Sequence, residues 1–232
     1  MPLSRQLSLF GVEARPASPL DFEGLLAGAG QVMRMGGTAR VSIVIEDPWR
    51  ARALLVEAGL RGIPATCERV GEPRVGYIRF RTAYSRALAP LGRAWLRGGQ
   101  KRAPTGLVLD GRRLRLWAIA AGGPDGAVAF TLRLAADAGA GVDPNDGGDP
   151  SDGGDPGDGG DPGDGGDPTA GGDEALTWEI VGAGLAAAGL PAVLLTPRAG
   201  GPAYRIVGRR RLARLAELVG EAPAGAPPGG WP

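Results

Sequence analysis

Apolar and polar positions divide the chain into short segments that recur in a fixed order. A short apolar helix is predicted over Asp21–Gly28, then a brief strand at Val32–Met35 and a clear one at Ala39–Ile45. In the clear strand the period of two sets Val41, Ile43 and Ile45 on one face and Arg40 and Ser42 on the other. Asp47-Pro48 reads as a helix N-cap followed by proline in the first turn, and the helix runs from Trp49 to Gly59. Strands near Ala65–Val70 and Val75–Arg81 and a helix over Ser85–Leu96 complete the first series. In the last strand Ile78 and Phe80 oppose Tyr77, Arg79 and Arg81.

A second series begins at the helical run Arg113–Gly122 and continues with a strand over Ala127–Leu134. There Val128, Phe130, Leu132 and Leu134 are expected inside, with Thr131 and Arg133 outside. A helix over Ala175–Ala188 stops at Gly189, a residue suited to the left-handed cap. Strands at Ala192–Thr196 and Ala203–Val207 and a helix over Arg210–Val219 follow, with Arg205 opposite the Tyr204/Ile206 face. Wording repeats with the order: Trp49…Ala58-Gly59-Leu60…Pro64-Ala65 is echoed by Trp178…Ala188-Gly189-Leu190-Pro191-Ala192. The expectation is an α+β chain built from a pseudo-duplicated αββαββα unit.

The expected divisions are a flexible N-terminal peptide and spacer (1–20), a first repeat (21–96), a linker (97–110) and a second repeat (111–136 and 175–220). A disordered acidic insert (137–174) interrupts the second repeat, and a disordered tail (221–232) ends the chain. The insert is a hexapeptide repeat, Asp-Pro-x-Asp-Gly-Gly, without an apolar residue from Pro144 to Pro168. It cannot offset its ordering entropy by burial. Its aspartates fall every third residue, which suits neither the alternate ligands of an EF-hand nor a nine-residue calcium repeat.

Charge changes the picture. The net charge of +1 includes nine aspartates between Asp143 and Pro168, and without those nine the remainder of the chain carries +10. A body that basic favours a polyanionic partner. The acidic repeat could then mimic phosphates and cover the basic face, in which case deleting Asp143–Pro168 tightens DNA binding.

Other chemistries are narrowed by what is missing. The chain has no His and one cysteine, Cys67, so imidazole general bases, intrachain disulfides and multi-cysteine zinc sites are excluded. Cys67 falls in a strand and reads as a packed small residue. Gly28-Ala29-Gly30 and Gly182-Ala183-Gly184 lack the strand, helix and third glycine of a phosphate-binding loop. No cofactor and no metal site are expected. No apolar run reaches spanning length and the N-terminus lacks a signal-peptide core, so a cytoplasmic, nucleoid-associated location is expected.

Two resemblances sharpen these expectations. The stretch Gln6-Leu7-Ser8-Leu9-Phe10 precedes a Pro-rich spacer and suits an extended peptide dropping apolar anchors into a groove. It resembles the pentapeptide by which bacterial proteins bind the sliding clamp of DNA polymerase III. That resemblance implies clamp-binding roles for Gln6, Leu7, Ser8, Leu9 and Phe10.

The duplicated order of elements resembles the LAGLIDADG fold of homing endonucleases and its degenerate form in WhiA-type bacterial regulators. The resemblance implies that the first helices of the two copies pack together, with small residues such as Gly24 and Gly28 allowing close approach. It places the family's metal-binding catalytic acids at Ala29 and Gly123, neither of which can ligate a metal, so nuclease activity is expected to be lost. It also implies DNA contact across the sheets, for which Arg40, Arg79, Arg81, Arg133, Arg205, Arg209, Arg210 and Arg211 are the candidates. The resulting expectation is a non-catalytic protein of bacterial replication or repair that is tethered to the clamp and binds double-stranded DNA. The alternatives are a metal-dependent nuclease using Asp125, Asp110 or Glu46, and a protein-interaction adaptor that does not touch DNA.

Overall fold

The computed structural model describes residues 11, 15–71, 76–134, 170–196 and 202–232. The first unit comprises α1 (Glu23–Ala27), β1 (Gln31–Met35), β2 (Thr38–Ile45), α2 (Pro48–Leu60), β3 (Ala65–Val70), β4 (Tyr77–Thr82) and α3 (Ala89–Trp95). A two-stranded hairpin, β5 (Leu96–Arg97) with β6 (Gln100–Lys101), joins it to the second unit. That unit comprises α4 (Gly111–Ala121), β7 (Gly122–Pro124), β8 (Ala129–Arg133), α5 (Ala170–Ala187), β9 (Val193–Leu195), β10 (Ala203–Val207) and α6 (Arg209–Val219).

The duplication is visible in the topology. One antiparallel sheet has the order β1-β2-β4-β3 and the other β7-β8-β10-β9, so equivalent strands occupy equivalent places. Period-two burial sets the inner faces: Val41, Ile43, Ile45 and Phe80 in the first sheet and Phe130, Leu132, Tyr204 and Ile206 in the second are buried. Val128 differs from expectation. It is 43% exposed because it lies in the turn before β8, where its carbonyl accepts from Gly208 N at 2.8 Å.

The two units share one core, and α1 against α4 is its centre. A Cβ on Gly24 would lie 1.9 Å from the Arg113 carbonyl oxygen, and one on Gly28 would lie 2.5 Å from Trp117 Nε1. Glycines four apart thus give α1 a bare face on which α4 rests. Each central helix leads into the edge strand of its own sheet, α1 into β1 and α4 into β7.

Charged side chains lock the same joint. Asp21 and Arg61 are buried and paired at 3.1 Å, and Arg61 also reaches Glu57 at 2.6 Å. Glu57 accepts from Arg115 of α4, also at 2.6 Å. Glu23 takes Trp95 Nε1 at 3.0 Å and lies 2.8 Å from Arg113.

Several boundaries differ from expectation. Residues 15–20 were expected in the flexible spacer but join the body. Arg15 pairs with Asp110 and Asp21, and Ser18 caps a 3-10 turn over Pro19–Phe22. Asp47 holds the N-cap position of α2 in extended geometry, yet its carboxylate pairs with Arg50 at 2.8 Å instead of capping a backbone N–H. The expected linker contributes the β5–β6 hairpin and the buried Ala103, Leu107 and Leu109. The C-terminal tail packs back on the body: Trp231 Nε1 donates to Gly220 O at 2.8 Å and its ring lies 5.6 Å from the Arg115 guanidinium. The acidic repeat and Gln6–Phe10 lie outside the described residues.

Candidate nucleic-acid interface

Strand register decides which side chains share the outer face of each sheet. In the first sheet Ser42 stands opposite Arg81, and Val44 opposite Arg79. On the other side of β4, Thr66 faces Arg81 and Glu68 faces Arg79. Arg40 pairs with Met33 across β1–β2. Arg40, Arg79 and Arg81 therefore occupy one surface, all half-buried, as alternation predicted.

None of them stands as a bare charge. The Arg40 guanidinium lies 4.9 Å over the Tyr84 ring, and Met33 Sδ accepts from Tyr84 Oη at 3.0 Å. Glu68 holds Arg81 at 3.0 Å and lies 3.7 Å from Arg79. These partially exposed pairs are worth about 0–1 kcal/mol each. The same face carries exposed Met33, Met35, Val44 and Tyr77. It is mixed apolar and basic.

The second sheet places Arg205 opposite Thr131, and Arg133 opposite Ala203. Arg205 Nε lies 2.6 Å from Asp125 Oδ2 in the β7–β8 turn. Arg133 is exposed, and its carbonyl accepts from Trp117 Nε1 at 2.9 Å and would lie 3.1 Å from a Cβ on Gly28, which puts its backbone at the joint of the two units. Arg209, Arg210 and Arg211 are exposed in the first turn of α6 and line an open cleft of about 640 Å³ with Arg214, Gly189 and Pro191. The N-cap is Gly208 at φ 104, without a side chain to cap the helix. Three cations at the positive end of a helix cost stability and concentrate a field suited to anions.

Much of the remaining positive charge is already engaged within the fold, with Arg61 buried and the others partly so. Arg15, Arg61, Arg113 and Arg115 face carboxylates, and Arg112 donates to the Arg15 carbonyl at 2.8 and 3.0 Å. The charge of +10 outside the acidic repeat therefore overstates what a partner can meet.

The ends of α1 and α4 hold two further cations, Lys101 and Arg50. Lys101, the chain's single lysine, donates from Nζ to Gly28 O at 2.8 Å and Gly30 O at 2.9 Å, on either side of Ala29. Arg50 donates to Ile119 O at 2.7 Å and Gly122 O at 2.6 Å, beside Gly123. Each helix C-terminus thus satisfies its free carbonyls with an internal cation. Among the described residues no cluster of His, Cys, Asp and Glu could hold a metal ion. Glu46 is exposed and Asp110 caps α4 by accepting from Arg113 N at 3.0 Å. Burial pushes the Cys67 thiol up, away from the reactive thiolate.

Sequence reading missed Glu68, the pairing of Asp125 with Arg205 (Asp125 was singled out only as a candidate nuclease acid), and the roles of Arg50 and Lys101. Only Glu68 left a signal: it has the outward parity of its strand, as Arg79 and Arg81 have of theirs. Among the described residues no helix is long and apolar enough to cross a membrane.

No family model and no curated protein matches the sequence. Among solved structures the chain is similar to the homing endonuclease I-WcaI bound to its DNA recognition sequence. The TM-score is 0.50 at 12% identity, over 94% of this chain and 90% of that one. The duplicated αββαββα architecture is thus similar to the LAGLIDADG endonuclease fold.

Proposed function

We propose that this chain is a non-catalytic DNA-binding protein that works in replication or repair while tethered to the bacterial sliding clamp. The observation that carries the DNA reading is the shared outer placement of Arg40, Arg79 and Arg81 in one sheet and Arg133 and Arg205 in the other. The endonuclease of similar fold is seen on its DNA recognition sequence, which supports carrying DNA contact over to this fold. Guanidinium groups on sheet surfaces, with Arg209–Arg211 nearby in sequence, suit phosphate contacts, which give affinity without sequence choice.

The absence of catalysis is proposed on the helix ends. Ala29 and Gly123 offer no oxygen side chain, and Lys101 and Arg50 engage the carbonyls around them. A divalent cation there would meet a positive charge in place of a carboxylate. The tether is proposed on the wording of Gln6–Phe10, with Leu9 and Phe10 as anchors. Linking a weak DNA face to a clamp peptide raises local concentration, so neither contact need be tight alone.

Recovery of purified clamp by the wild-type chain and by a Leu9→Ala/Phe10→Ala variant tests the tether; equal recovery removes it. Duplex binding that weakens steeply with salt supports the DNA face. Magnesium-dependent cutting of plasmid or branched DNA would replace this reading with a nuclease. A second reading, a protein-binding adaptor, is favoured by exposed Met33, Met35, Val44 and Tyr77 on the first sheet. It requires partner binding through that sheet with little salt dependence.

A further inference from the structure

An apolar groove of about 630 Å³ opens between the 107–110 loop, the C-terminal end of α5 and α6. Leu107, Leu109 and Leu218 form its buried floor, while Val108 is 62% exposed and Ala187 is exposed at the rim. Its size lies within the range of roughly 300–1,000 Å³ typical of ligand-sized clefts. Gly11 is buried and lines this groove.

The chain is fixed close by. Arg15 donates to Asp110 Oδ2 from Nε at 2.9 Å and from Nη2 at 2.7 Å. Arg112 holds the Arg15 carbonyl with two further hydrogen bonds. Asp110, Arg112 and Arg15 also line the groove, so the anchor and the opening are one structure. Phe10 is one Cα step from Gly11, about 3.8 Å, and Leu7 is four steps away, within about 14 Å.

We infer that this groove is an intramolecular seat for Leu7, Leu9 and Phe10, so that the chain stows its own clamp peptide. A peptide already anchored at Arg15 meets the groove at millimolar-scale effective concentration, so a weak apolar contact suffices to hold it. The seat stands on the groove and the anchor; its regulatory meaning rests on the proposed tether. While stowed, the peptide is withheld, and its apparent affinity for the clamp falls to its intrinsic affinity times the fraction of time it is free. Clamp binding and groove occupancy are then mutually exclusive.

The test uses the full chain. Backbone and methyl NMR shifts of Leu107, Leu109, Ala187 and Leu218 are compared between wild type and Leu7→Ala/Leu9→Ala/Phe10→Ala. Changes at the groove support the seat, and unchanged groove shifts overturn it whether or not the clamp binds. Ala187→Glu places a charge on the exposed rim without opening the core. It is expected to tighten clamp binding by the full chain about tenfold if the wild-type peptide is stowed nine-tenths of the time. Equal clamp affinity for wild type and Ala187→Glu, with the free 1–11 peptide binding the clamp normally, rejects the regulatory role. A free peptide that fails to bind the clamp, alongside intact groove shifts, sinks the tether and leaves the seat standing. Groove shifts that scale with protein concentration and accompany a dimer in sedimentation assign the groove to a second copy and overturn the proposal.

Discussion

Arg205 donates from Nε to Asp125 Oδ2 at 2.6 Å, so a candidate DNA-contacting cation is held by a candidate nuclease acid. Both side chains are about two-fifths exposed, and the pair contributes little to stability. On the proposed DNA face its effect would be larger, because Asp125 would neutralise Arg205 and repel phosphate. Asp125→Asn is therefore expected to tighten duplex binding several-fold at low salt, measured by fluorescence anisotropy. Loss of metal-dependent cutting in the same variant would instead show Asp125 to be catalytic.

The outer-face arginines of the first sheet predict a salt signature. Arg79→Ala/Arg81→Ala is expected to weaken binding to unrelated duplexes alike. The slope of log affinity against log salt should become shallower by about one for each phosphate that is no longer neutralised. Weakening for one sequence alone would place these side chains on bases.

At the joint of the two units, Gly24→Ala drives a Cβ to within 1.9 Å of the Arg113 carbonyl oxygen, a backbone atom that cannot swing away. The expected loss is about 3 kcal/mol or more in urea unfolding, at the upper end of overpacking costs. Gly59, near the end of α2, has nothing within 4 Å of a built Cβ. Gly59→Ala is expected to stabilise by about 0.5–1 kcal/mol through helix propensity.

Glu57 predicts acid sensitivity. Burial alone would raise its pKa, but hydrogen bonds and charge from Arg115 and Arg61 outweigh burial and hold it below its ordinary value of 4.5. A carboxylate depressed in the folded state contributes stability above pH 4.5, and that contribution is lost as pH falls through the folded value. Urea unfolding across this window should show the loss. Glu57→Gln should flatten it while costing about 3–5 kcal/mol at neutral pH, because Arg61 stays buried with one anion fewer.

Local pattern carried far along this chain. The alternation at Val41, Ile43 and Ile45 correctly separated the core from Arg40 and Ser42. Gly189 ends the helix it was expected to end, at φ 80. The strand Gly122–Pro124 was not legible, since two glycines and a proline have no strand propensity. It forms because α4 delivers it alongside β8. The prolines of the tail likewise predict a loose end, yet Trp231 finds the Gly220 carbonyl and the Arg115 guanidinium.

The amino-acid order by itself determined the repeated unit, the inward and outward faces of its strands and the absence of an acid at Ala29 and Gly123. Those properties follow from neighbours a few residues apart. Which arginines a partner can meet was decided only by the tertiary structure. Arg50 and Ile119 lie 69 positions apart, and Arg15 and Asp110 lie 95 apart. A charge is written in the residue, but its partner is chosen by the fold.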